Sequence, residues 1–417
     1  MVPIAQNKTK ADMGKMDMWI RLSLAAAVMA GVPATLDAQE KSGPPTAKSP
    51  GWFLQEPAHP AKQGSQGRAN FASLNKAGVP ACSHSPVCDP AHGGSADRGA
   101  LARVQWRQTM GYTFSYPFQV SPDDGGSYHS GVPAVGTDSK DNLWVFQRNS
   151  PGHPQLFKYN AAHKLILTVP ESVLGHQEKA HGMAVDPFDN VWVADGDGST
   201  VTELSSDGKV MKVIGRKNHR GDWDEAKGQR LLWQPMMMAF SRNGDVFIAE
   251  GHANESPNDA DSDNPDSNIG AARIIHLDRN GKFINQWFGN SVGQGKFSMA
   301  HGVAVDPQNG DVWIGDREQY RLVVYTKDGV FRRTIQMRNL MCAIGFDRHG
   351  NLWVSSGQDG QLLKLDRDGT VLGAVGNGAG RGPGQAVETT YMAWDKQANL
   401  YTGDTSVARI TEWSPPK

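Results

Sequence analysis

Between Phe297 and Tyr325 the chain alternates apolar and polar positions in short bursts. Gly302–Val305 (GVAV) is small and apolar throughout. Asp306–Asp311 (DPQNGD) is a cluster of turn formers. Asp311–Asp316 (DVWIGD) alternates large apolar with small or polar residues, and Tyr320–Tyr325 (YRLVVY) is a third burst. Lys327–Gly329 then turns the chain into Val330–Gln336 (VFRRTIQ). Period-two alternation bounded by Gly, Pro, Asn and Asp predicts strands joined by tight turns. The stretch therefore predicts a four-stranded sheet, which needs neighbours to bury both of its faces.

Those neighbours are repeats of the same phrase. It recurs at Ala134–Gln147 (AVGTDSKDNLWVFQ), Gly182–Gly196 (GMAVDPFDNVWVADG), Met237–Gly251 (MMAFSRNGDVFIAEG), Ala343–Gly357 (AIGFDRHGNLWVSSG) and Met392–Asp404 (MAWDKQANLYTGD). The residues closing the first strand fall at Asp138, Asp186, Ser241, Asp306, Asp347 and Asp395, at spacings of 48, 55, 65, 41 and 48. Four strands repeating about every 40–50 residues are the signature of a propeller blade. The sequence thus predicts an all-β, six-bladed β-propeller over 101–417. The last copy ends after Ala408–Trp413 (ARITEW), one strand short. Arg103–Tyr112 (RVQWRQTMGY) is the predicted N-terminal strand that closes the last blade, removing the open sheet edges.

Aligning the copies yields two rings of candidate residues at the channel. The first holds Pro133, His181, Met236, His301, Cys342 and Thr390. The second, at the turn after the next strand, holds Gln147-Arg148, Asp195-Gly196, Glu250-Gly251-His252, Asp316-Arg317-Glu318, Ser356-Gly357 and Asp404-Thr405. His181 and His301 are equivalent residues of blades two and four, a donor pair suited to a late divalent metal. A third ligand is expected from blade six, where Thr390 stands with Tyr391 beside it. Arg148 and Arg317 are likewise equivalent and could clamp a carboxylate bidentately. Against these readings, a His before such a strand can simply satisfy backbone groups, and either Arg can serve a surface ion pair.

Composition narrows the picture. The 417 residues carry a net charge of −1, which gives no basis for a nucleic-acid surface. No phosphate-binding glycine loop and no Gly-x-Ser-x-Gly elbow occurs. Residues 1–38 read as a signal peptide: basic at Lys8, Lys10 and Lys15, apolar over Trp19–Ala34, and small before Gln39. The expectation is a secreted or periplasmic protein, with no membrane segment after cleavage. Residues 39–100 form an irregular Pro/Gly/Ser-rich leader. Within it, Cys82 and Cys88 suit a small disulfide loop or, with His84 or His92, a metal knuckle. Cys342 reads as a small buried apolar residue. Residues 252–268 (HANESPNDADSDNPDSN) are an acidic insertion, read as a solvated loop, a structural calcium loop or a lid.

The phrases GQGKFSMAHGVAVDP and WVADGDGSTVTEL resemble NHL repeats, a likeness extending over Ala134–Trp413. Within that group, LWVFQR, KAHGMAVDPFDNVWVAD and the run from Arg273 to Glu318 resemble peptidyl-α-hydroxyglycine α-amidating lyase. That resemblance implies a propeller that cleaves peptidyl-α-hydroxyglycine to peptide amide and glyoxylate, with a channel zinc held by three histidines. Motif for motif, His181 and His301 match two zinc ligands, and Arg148 and Arg317 match its two functional arginines. The third histidine falls at Thr390. The family's catalytic tyrosine, in an Asp-Gly-Tyr turn, falls at Glu250-Gly251-His252. The expectation is an exported, metal-dependent, lyase-like enzyme. A metal, zinc by resemblance, sits on His181 and His301, Arg148 and Arg317 hold a carboxylate, and His252 is general base. The ligand in the channel is then a small molecule or peptide. The alternative is a non-catalytic NHL propeller binding a peptide, glycan or protein partner at the channel mouth. A gluconolactonase-type calcium lactonase fits less well, because the channel positions lack a matching acidic set.

Overall fold

The computed structural model describes residues 110–118, 131–148, 151–251, 272–289, 295–297, 299–317, 321–337, 341–356, 360–406 and 408–417. The predicted signal peptide, the leader with Cys82 and Cys88, the insertion 252–268 with His252, and Glu318 lie outside the described residues. Six four-stranded antiparallel sheets follow one another along the chain. Their first strands are Ala134–Thr137, Ala180–Val185, Pro235–Phe240, Ala300–Val305, Met341–Phe346 and Thr389–Trp394. Each packs against the first strand of the next blade, and Thr389–Trp394 packs against Ala134–Thr137, so the ring closes. Among the described residues no helix is long and apolar enough to cross a membrane.

Closure runs through the N-terminal segment, as the missing strand demands. The closing strand is Thr113–Ser115, paired antiparallel with Arg409–Ser414. It begins just past the predicted Arg103–Tyr112, of which the described residues Met110–Tyr112 are not strand. The 55-residue spacing between blades two and three comes from a small hairpin, Trp223–Asp224 against Gln229–Arg230.

The repeated Asp is a turn device. Asp347 accepts hydrogen bonds from the N–H groups of His349 (2.9 Å) and Asn351 (2.9 Å), from Asn351 Nδ2 (2.8 Å) and from Trp353 Nε1 (3.0 Å). Asp186 does the same for Phe188, Asn190 and Trp192. Each thereby satisfies the main chain of a tight turn that would otherwise expose it. The aromatic after this turn recurs as Trp144, Trp192, Phe247, Trp313, Trp353 and Tyr401, all buried. Several pack against the first strand of the following blade: Trp192 on Phe240, Trp313 on Phe346, Trp353 on Trp394, at centroid distances of 5.5, 6.1 and 6.3 Å. The core is therefore a set of interfaces between blades.

Candidate functional site

The first ring sits in β-bulges. Pairing passes from Ala300↔Asp316 to Gly302↔Gly315, leaving His301 over. The same shift lies between Ala180 and Met183, Pro235 and Met237, Met341 and Ala343, and Thr389 and Met392. His181, Met236, His301, Cys342 and Thr390 thus occupy one register, inside the strands and not just before them. A bulge re-aims the side chain it carries, and here it brings His181 and His301 together, ring centroids 4.9 Å apart and each 2% exposed.

Both imidazoles are oriented from behind. His181 Nδ1 lies 3.1 Å from the Met236 carbonyl oxygen, and His301 Nδ1 lies 2.7 Å from that of Cys342. A carbonyl can only accept, so each Nδ1 carries the hydrogen and each Nε2 the lone pair, the tautomer a metal ligand needs. At the third register position, the Thr390 hydroxyl is buried with no hydrogen-bond partner. The donors in this register are two imidazoles and one orphaned hydroxyl, donor types a divalent cation accepts but fewer strong ones than three histidines supply. Among the described residues no group of three or more His, Cys, Asp or Glu could hold a metal.

Sequence reasoning assigned no role to Tyr391, which holds the centre. Its hydroxyl lies 3.1 Å from His181 Nδ1, 3.0 Å from the Met236 oxygen and 2.9 Å from the His301 oxygen. Its ring stands edge-on to His181 and stacks on His301. Burial pushes the phenol well above its ordinary value of 10.0. Cys342 adds to the rise, and Arg317 and Arg148 oppose it without reversing it. Tyr391 therefore stays protonated at neutral pH. The available sequence signal was a bulky side chain in a column that reads Gly182 and Gly302 elsewhere.

The second ring divides in two. In four blades its carboxylates pin the chain entering the first strand. Asp195 accepts from the N–H groups of Glu178 and Lys179, Glu250 from Trp233, Asp316 from Met299, and Asp404 from Val387. Glu250 and Asp316 also hold Arg273 (2.6 Å) and Arg321 (2.8 Å). Burial raises the carboxyl groups of Glu250, against Arg273, and of Asp404, against three backbone N–H groups. These are structural clamps. The next residue in each turn is the functional candidate. The main-chain N–H of Arg148, Gly196, Gly251, Arg317 and Thr405 donates to Gly131, Lys179, Gln234, Met299 and Glu388, which proves their equivalence. Arg148 turns to blade two, its Nε 3.2 Å from the Ala180 oxygen beside His181. Arg317 is buried, and its guanidinium lies 3.4 Å from Glu388 of blade six.

Residues 297–325 match the NHL repeat family. The chain is 29% identical over 224 residues to the peptidyl-glycine alpha-amidating monooxygenase of Mus musculus, covering 47% of this chain and 20% of the mouse protein. It is 27% identical over 205 residues to peptidyl-alpha-hydroxyglycine alpha-amidating lyase 1 of Drosophila melanogaster, covering 46% of this chain and 33% of the fly protein. The matches thus span a third or less of these relatives. In fold it is similar to a gluconolactonase from Xanthomonas campestris, with a TM-score of 0.51 at 14% identity over 81% of this chain and 95% of that one.

Proposed function

Taking the chain as a six-bladed NHL-repeat propeller similar in sequence to amidating lyases, we propose that its channel mouth is a metal-assisted lyase site. The reaction breaks the C–N bond of an N-linked α-hydroxyl compound, the class to which peptidyl-α-hydroxyglycine belongs. The observation that carries this reading is the convergence of His181 and His301, 4.9 Å apart in equivalent bulges, with each Nδ1 turned onto a carbonyl.

A divalent cation, zinc by resemblance to the amidating lyases, would supply Lewis-acid chemistry that makes the substrate hydroxyl easier to deprotonate. His181 and His301 would hold it through Nε2, with Thr390 nearest in register to complete the set. Arg148 and Arg317 supply positive charge at the mouth. His252 follows Gly251 in the equivalent turn of blade three and is the proposed general base for the hydroxyl proton. As that proton leaves, the C–O bond becomes a carbonyl, the C–N electrons pass to nitrogen, and nitrogen takes up a proton, yielding amide and aldehyde. Tyr391 is held protonated and serves orientation. The predicted signal peptide makes export part of this proposal.

The experiment is zinc content and glyoxylate release from an N-acyl-α-hydroxyglycine. We expect zinc-dependent release, with both metal and activity lost in His181→Ala and His301→Ala. Release that continues without metal in those variants would sink the reading. A second reading, a non-catalytic propeller binding a peptide, glycan or protein, is supported by Thr390 in the third ligand register. It predicts no release and binding that survives both substitutions.

A further inference from the structure

The mouth of the channel contains a carboxylate of its own. Glu388 lies two residues before Thr390 and is 6% exposed. One of its oxygens accepts from Arg317 Nη2 at 3.4 Å, and the other accepts from Thr405 Oγ1 at 3.0 Å. Its main chain is fixed as well: the carbonyl accepts from Thr405 N at 3.1 Å, and the N–H donates to Asp404 Oδ2 at 3.3 Å. Arg317 is 1% exposed. One of the two guanidiniums placed to receive a substrate carboxylate is therefore already facing a carboxylate from blade six. Turning Glu388 away from Arg317 would strip its buried carboxylate of that charged partner. A second carboxylate docking beside it would meet like charge at close range. Arg148, the other guanidinium, is directed toward the main chain of blade two.

We infer that Glu388 sets the substrate class of this site. The site takes N-(α-hydroxyalkyl) amides that carry no carboxylate on the hydroxylated carbon, and it discriminates against α-hydroxyglycine-type acids. This rests on the lyase reading. The bonds made and broken are unchanged: the hydroxyl proton leaves, the C–N bond breaks toward nitrogen, and a primary amide and an aldehyde result, with no oxidant or reductant.

Two probes differ only in the carboxylate. α-Hydroxyhippurate and N-(hydroxymethyl)benzamide both release benzamide, so one assay reads both. The zinc-supplemented full chain is expected to favour N-(hydroxymethyl)benzamide in kcat/KM. Glu388→Gln should raise kcat/KM for α-hydroxyhippurate, and affinity for the inert carboxylate hippurate, by about tenfold or more, the worth of a hydrogen bond to a charged group. The ratio of kcat/KM for α-hydroxyhippurate to that for N-(hydroxymethyl)benzamide should rise by the same factor. Arg317→Met added to Glu388→Gln should remove that gain and return hippurate affinity to about the wild-type value. This double variant removes both charges together and keeps the test readable should the single variant not fold. Wild-type preference for α-hydroxyhippurate overturns the inference and leaves the lyase reading standing. So does a loss of hippurate affinity in the double variant. If no variant releases benzamide, the lyase reading falls and hippurate binding decides the rest. A gain in Glu388→Gln preserves the role of Glu388 in excluding carboxylates, and no gain removes it.

Discussion

At the scale of single residues, Tyr391 separates packing from proton placement. Phenylalanine keeps the ring that stacks on His301 but loses the oxygen lying 3.1 Å from His181 Nδ1. Outer partners of a metal-binding imidazole fix its tautomer and angle, and losing one weakens metal binding by roughly 10–100-fold. On the proposed metal site, Tyr391→Phe is therefore expected to fold normally and bind zinc more weakly by that factor in a competition titration with a chromophoric chelator. Unchanged affinity would mean the Met236 carbonyl orients His181 alone. The equivalence of His181, His301 and Thr390 was legible in the sequence because each stands five residues before a repeated Asp. Tyr391 was not, because its role depends on backbone spacing that a pattern does not carry. At Gly182 a Cβ would lie 2.1 Å from the Met236 oxygen, whereas blade six leaves room for a whole side chain at that register. Glu388 was illegible for another reason. Its counterparts are Lys179, Gln234 and Met299, so no recurrence marks it.

At the scale of strands and turns, recurrence was visible but its meaning was mixed. The carboxylates ending four of the six second strands recur because they clamp backbone, and the residue after them varies with chemistry. The turn Asp residues recur for the same structural reason, and they give the fold a pH dependence. Burial alone would raise the Asp347 carboxyl, but hydrogen bonds from Trp353, Asn351 and His349 outweigh it and hold the group below its ordinary value of 3.8. Asp138 is likewise lowered, by Asn142, Lys158 and Lys140 against burial. A carboxyl with a depressed folded pKa binds fewer protons folded than unfolded. Its contribution is thus fully present above about pH 4 and is lost as pH falls through the folded value. Glu250 and Asp404 have the opposite sign: protonation as pH falls relieves the penalty of burying their charge and offsets part of the loss. Asp347→Asn is expected to lose about 1–3 kcal/mol at neutral pH and to show a shallower fall on the acid side. Urea midpoints between pH 7 and pH 3 would show it, and parallel curves for the two proteins would refute it.

At the scale of the whole molecule, the seam that closes the ring runs through the candidate site. Arg148 belongs to blade one, while Thr390, Tyr391 and Glu388 belong to blade six, so the site is complete only when these two blades meet. Besides the packing of Thr389–Trp394 on Ala134–Thr137, the N-terminal segment ties them together. Thr113–Ser115 pairs with Arg409–Ser414, Phe114 packs on Trp413 at 6.0 Å, and Ser115 bonds Glu412. Phe118 then bridges the blades, 5.4 Å from Tyr159 of blade one and 5.7 Å from Tyr401 of blade six. The sequence made this closure legible by counting, since the sixth copy lacks a strand. It placed that strand some residues early because three residues carry too little periodicity to locate. A chain beginning at residue 119 would expose the edge of Arg409–Ser414, which invites pairing with a second chain. It would also lose Phe118, whose removal from a core is worth roughly 3–5 kcal/mol by itself. Lower thermal stability and association on size-exclusion chromatography are expected together. Zinc affinity should fall with them even in the fraction that remains monomeric, because the seam would no longer hold blade six in register with His181 and His301. A monomer with native zinc affinity would mean the inner strands close the ring unaided, and the N-terminal strand would then serve only to cover an edge.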